Sequence, residues 1–270
     1  MAGGSTMRRW WAIVAGLAGF AGCAPAPVQF ERLSDDPIKH GQRLAGVLGC
    51  SGCHGADLTG NDWSELGFAR MWSSNLTRAV PRLTDGQLGR AIRSGVRRDG
   101  TPLWGMPSFL FTQLRPGEMA AITAFLRGRP AAGADHPLPV FGAGARVEIA
   151  AGTFLSSPDE VKKYGDSWPP DVGPAFAQGR YIVRATCTEC HGMDLRGGAP
   201  YPGAEARPDL RVIAAYDSAQ FDRLLQAGIP IGGHKLGLMA QVARGRYSQF
   251  TAGERTAVHG YLRQVAKVAP

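Results

Sequence analysis

Cysteine is too scarce in this chain to build a disulfide framework. Four of the five cysteines sit in two short motifs and Cys23 stands alone, so no pair remains for a structural bridge. The compartment must therefore be read from targeting signals. Lysine is also rare: of 30 basic residues only five are lysine, dispersed at Lys39, Lys162, Lys163, Lys235 and Lys267. No basic run is interleaved with aromatics, which excludes the usual footprint of nucleic-acid binding. Sustained period-two alternation is missing, which argues against a β architecture. No triad or acid–base pair of a hydrolytic enzyme stands out either.

A long apolar run is absent at the N-terminus too. Behind Arg8-Arg9 the uncharged stretch covers thirteen residues, 10–22, short of the roughly 20 that a helical membrane span needs. Its length and flanks fit a secretory leader instead. Phe20-Ala21-Gly22-Cys23 resembles a lipoprotein cleavage box. Residues 1–22 are expected to be a signal peptide, with lipid on Cys23 and residues 23–34 forming a Pro-rich tether. The protein would then be exported, periplasmic and held to a membrane by acyl chains. Of the formal charge of +8, Arg8 and Arg9 contribute two, and the remainder identifies no partner.

What the chain does have occurs twice. Cys50-Ser51-Gly52-Cys53-His54 and Cys187-Thr188-Glu189-Cys190-His191 are both Cys-x-x-Cys-His. That spacing allows two thioethers to one porphyrin edge, while the adjoining histidine reaches the iron. A zinc site of four thiols or a redox dithiol would leave both histidines without a role. The motifs therefore point to two covalently attached haem c groups.

The flanks repeat as well. Gly41-Gln42-Arg43 corresponds to Gly179-Arg180-Tyr181, and His54-Gly55-Ala56-Asp57-Leu58 to His191-Gly192-Met193-Asp194-Leu195. A helical pattern over residues 85–95 returns at 218–228, and Gly117-Glu118 with Phe125-Leu126-Arg127 returns as Gly253-Glu254 with Tyr261-Leu262-Arg263. Asp35-Asp36-Pro37 marks the start of a helix reaching about Val47. The expected organisation is all-α, with two domains at 35–130 and 172–268. The Pro/Gly-rich residues 131–171 would connect them. Within that connector, Val147-Glu148-Ile149 reads as a short strand and Ser157-Pro158-Asp159-Glu160 as a helix start.

An iron held by one histidine has a second face to fill. In the first half Met106, within Gly105-Met106-Pro107, is the candidate: the proline stiffens the loop, the glycine permits close approach, and a thioether suits haem iron. The offset of 133 that aligns the preceding helices puts Met239 opposite Met106. His234 competes with it and would lower the potential. Met71 and Met119 fit loop and helix packing, and His40, His136 and His259, which have no partner pattern, fit solvent exposure or ordinary packing.

With these residues placed, the chain resembles a tandem of class I c-type cytochrome domains. The resemblance implies that the first and last helices of each domain cross closely, with Gly41 against Phe125 and Gly179 against Tyr261. Residues 75–77 and 95–107 look further like the cytochrome subunits of periplasmic alcohol and gluconate dehydrogenases, which usually carry three haem domains. It implies an electron carrier, not itself an enzyme, with axial pairs His54/Met106 and His191/Met239. Its donor would be a dehydrogenase or quinol-oxidising complex, and its acceptor another cytochrome or a terminal oxidase. The alternative is a dihaem oxidoreductase acting on a small substrate such as thiosulfate or peroxide.

Overall fold

Asp36 begins the first helix through its side chain. In the computed structural model, which describes Met1, 27–199 and 204–268, its carboxylate accepts the Ile38 and Lys39 N–H groups at 2.8 and 3.4 Å. Helix α1 (Pro37–Val47) follows, and Gly49, at φ +84°, turns the chain into α2 (Cys50–His54). A short α3 (Leu76–Ala79) precedes α4 (Asp85–Ser94), and α5 (Pro116–Arg127) closes the first half. After α6 (Ala143–Ala151) and α7 (Ser157–Tyr164) come α8 (Ala177–Thr186), α9 (Thr188–His191), α10 (Ser218–Ala227), α11 (Leu238–Gly245) and α12 (Ala252–Val268). Two-residue strands, β1 (Ala69–Arg70) and β2 (Val140–Phe141), pair antiparallel.

Equivalent helices are started and stopped by equivalent chemistry. Thr84 and Gln87 form a reciprocal capping box at the head of α4, and Asp217 and Gln220 form one on α10. Left-handed Gly95 and Gly228 end them. The close crossings are also present. A Cβ on Gly41 would lie 1.9 Å from the Ala121 carbonyl oxygen, and one on Gly179 would lie 2.1 Å from that of Ala257. Any side chain at either glycine would therefore push α1 off α5, or α8 off α12. The buried residues of these pairs belong to one apolar core that spans both halves.

Two segments differ from the sequence reading. The tether was expected to extend to residue 34, but Phe30 is only 1% exposed. Its N–H donates to Glu118 at 2.7 Å, and the next N–H, of Glu31, donates to Glu254 at 2.9 Å. A phenylalanine beside two buried carboxylates docks rather than trails, because burial satisfies its ring and its backbone together. The connector lies against the first half. Asn75 donates to the Ala132 and Ala134 carbonyls at 2.8 and 2.9 Å, and Thr112 donates to that of Gly165 at 2.7 Å. The strand expected at Val147-Glu148-Ile149 is instead part of helix α6. The alanines around it favour a helix, and no neighbouring strand among the described residues offers the pairing that a β segment requires. Ser157 starts α7 as anticipated, capped by Ser156.

Helix α7 carries an acid with a measurable consequence. Burial, followed by the nearby charge of Glu189, raises the Glu160 carboxyl from an ordinary 4.5 to about 7. The folded state therefore holds this proton more tightly than the unfolded chain does. Its contribution is greatest below pH 4.5 and is lost as pH rises towards 7. Thermal melts should show Glu160→Gln flattening this decline between pH 5 and 8, by less than about 2 kcal/mol because solvent damps a half-buried charge. An unchanged pH profile would show that Glu160 is not its source.

Candidate functional site

Each Cys-x-x-Cys-His is a single helical turn, so its two thiols, three residues apart, share one face. All four cysteines are free and half-buried. His54 Nδ1 lies 2.8 Å from the Ser74 carbonyl oxygen, and His191 Nδ1 lies 2.9 Å from that of Pro208. A carbonyl only accepts, so in both cases Nδ1 carries the proton and the Nε2 lone pair is left for a metal. Burial lowers both imidazole pKa values, against a smaller upward push from those same carbonyl bonds. A neutral ring with a fixed tautomer is the ligand form.

The loops behind the histidines repeat at atomic detail. Gly60 N–H donates to the His54 carbonyl at 2.7 Å and Gly197 N–H to that of His191 at 2.9 Å. Leu58 and Leu195 are buried with left-handed backbone, at φ +63° and +62°, the only non-glycine residues so placed among those described. Such a conformation costs free energy, and its recurrence at the same step after each histidine marks a loop shaped around the imidazole. In the first half the Cys53 carbonyl also accepts from Ser73, Asn61 and Trp63 at 2.7, 3.2 and 3.3 Å.

The thiols themselves are poor thiolates. Burial pushes Cys50 up to about 11 and also raises Cys53, Cys187 and Cys190. That disfavours a redox dithiol, which depends on a depressed thiol pKa. Among the described residues no group of three or more His, Cys, Asp or Glu side chains is arranged to hold a metal ion. The donor set does fit a haem attached through each motif: paired thiols on one helix face and a neutral imidazole with its outer nitrogen free.

Met106 and Met239 are both half-buried against the core. His234, the competitor, is exposed in the turn ahead of α11. Met119 is packed inside α5 as anticipated, whereas the tip of Met71 lies 3.6 Å from where a Cβ on Gly105 would be. A second thioether therefore borders the Met106 loop. The remaining histidines pack: His136 bonds the Thr59 carbonyl and stacks on Trp72, His259 bonds the Tyr216 carbonyl and stacks on Phe221, and His40 is buried in α1. Cys23 and residues 2–22 of the expected leader lie outside the described residues. Among those described, no helix is long and apolar enough to cross a membrane.

The two carbonyl partners, Ser74 and Pro208, were not anticipated, since backbone acceptors leave no residue-type signal. Leu58 and Leu195 could have been suspected, because each lies four residues after its histidine in an otherwise Gly-rich loop.

Residues 176–266 match the model of the cytochrome c family, a span that includes the second motif and Met239. Across a longer alignment the chain is similar to the cytochrome c subunits of alcohol dehydrogenase (quinone) from Gluconacetobacter polyoxogenes and Komagataeibacter europaeus. Each is 25% identical over 86% of this chain. The chain spans 57% of the length of these curated relatives.

Proposed function

We propose that this chain is an electron carrier with two covalently attached haem c groups, held by tandem class I cytochrome c domains at residues 35–130 and 172–268. The observation that carries the reading is the repeated histidine geometry, His54 on the Ser74 carbonyl and His191 on the Pro208 carbonyl, each behind a Cys-x-x-Cys pair. The family match supports it for the second half, and the repeated caps, helix crossings and left-handed leucines extend it to the first.

In this reading Cys50 and Cys53 tether one haem and Cys187 and Cys190 the other. His54 and His191 would supply the imidazole ligands to the irons, and Met106 and Met239 the thioether ligands. When bound, the haem iron supplies one-electron exchange between ferrous and ferric states. The protein's part would be to keep each imidazole neutral and aimed, and to offer a thioether packed against its apolar core. The chain would be exported by residues 1–22, lipidated at Cys23 and would work in the periplasm. Its donor would be a dehydrogenase, as with the relatives, or a quinol-oxidising complex, and its acceptor a cytochrome or terminal oxidase.

A second reading, a dihaem oxidoreductase acting on thiosulfate or peroxide, has one observation in its favour. Gly233, His234, Lys235, Gly237 and Leu238, just ahead of Met239, are all exposed, so the second thioether is the easier one to displace. Redox titration of the purified protein tests both. Two covalent haems and two potentials are expected, with Met106→Ala and Met239→Ala each lowering one of them. Met71→Ala should lower neither. The reduced wild type should bind carbon monoxide slowly; rapid binding at the His191 haem would favour the oxidoreductase.

A further inference from the structure

Arg246 touches both haem-attachment segments. It lies between α11 and α12, seven residues after Met239, and its side chain is 15% exposed. Its Nε and Nη2 donate to the Val47 and Leu48 carbonyls at 3.2 Å each, close ahead of Cys50. Its Nη1 pairs at 3.0 Å with Glu189, which stands between Cys187 and Cys190. The guanidinium stacks over Tyr247, whose hydroxyl donates to the Thr186 carbonyl at 2.8 Å, next to Cys187. Gly49 is left-handed at the point of contact, and a Cβ there would come within 2.7 Å of the guanidinium carbon. That glycine both turns the chain into the first motif and makes room for the second half's arginine.

One ion pair therefore borders both motifs: Arg246 bonds the two carbonyls just ahead of Cys50 and pairs with the carboxylate that stands between Cys187 and Cys190. An arginine suits this position because its planar fork can span two carbonyls and a carboxylate at once, and it stays protonated beneath the surface.

Resting on the two-haem reading above, we infer that Arg246 is a positioning residue common to both haem sites. It holds the two Cys-x-x-Cys-His segments against each other and, with Glu189, sets a field that both irons feel. A positive charge disfavours the ferric state, which carries one more positive charge than the ferrous, and so raises the potential; Glu189 opposes it.

The test uses the full-length holoprotein, with haem counted by mass and both potentials titrated optically. Arg246→Leu should lower both potentials, raising the ferric-to-ferrous ratio of each haem at least about threefold at a fixed applied potential. Arg246→Lys keeps the charge but not the fork, so it should restore both potentials while melting earlier than wild type. Glu189→Gln should shift both potentials upward, a change of sign that a merely structural role would not produce. Should Arg246→Leu fail to accumulate with its haems, Glu189→Gln decides by itself. A shift confined to one haem, or to neither, overturns the inference, as does lysine failing to restore the potentials. A wild-type haem count other than two would instead defeat the underlying two-haem reading.

Discussion

Arg184→Met is expected to destabilise the protein by at least about 3 kcal/mol, the cost of opening a buried polar knot from one side. Arg184 is 1% exposed, and all its hydrogen-bond partners are uncharged oxygens. It donates to the Leu110 and Ser167 carbonyls at 3.0 Å, to those of Phe109 and Gly165 at 3.2 and 2.7 Å, and to the Thr112 hydroxyl at 3.0 Å. The guanidinium also lies 5.0 Å from the Trp168 ring centroid. Burial depresses its pKa to about 10, so it remains a cation at neutral pH. Methionine fills much of the volume but leaves these oxygens without their donors in a dry seam. The seam joins α8 to the segment just after Met106-Pro107, so the loss should also loosen the first thioether. Denaturant titration checks the stability, and a fall in one haem potential checks the loop. A variant within about 1 kcal/mol of wild type would mean that water replaces the guanidinium at little cost.

The second large effect is on haem content. Replacing Cys187 and Cys190 together by serine should reduce covalent haem from two per chain to one, read by intact mass and by haem stain on a denaturing gel. The remaining haem should titrate at the potential assigned to the first half. Cys50 and Cys53 replaced together should give the complementary result. On the two-haem proposal the folded second half should also be weakened, because the apolar contacts of its bound cofactor would be lost. An unchanged mass in either double variant would remove that motif from the haem-binding assignment.

Several elements were legible directly from residues because their causes are local. Asp36-Pro37 starts α1, and the helical patterns over residues 85–95 and 218–228 are α4 and α10, whose caps the structure then supplies through contacts within a few residues. The close approaches at Gly41 and Gly179 were legible from the family resemblance. The misread piece, Val147-Glu148-Ile149, shows the limit of propensity: β-branched residues suggest a strand only where a partner strand exists. Phe30 shows another limit. In sequence it follows a Pro-rich stretch, and nothing local reveals the carboxylates of Glu118 and Glu254 that receive it and its neighbour.

The sequence alone determined the chemistry available in both halves. Two thiols and an imidazole at Cys-x-x-Cys-His spacing need only one helical turn to come together, so adjacency in the chain is sufficient. Tertiary structure decided how the two motifs stand towards each other. Arg246 meets Val47 and Leu48 across 199 and 198 residues of sequence, and Arg184 reaches Leu110 across 74. Both arginines act on backbone carbonyls, which every residue possesses, so only the folded chain determines which ones they meet.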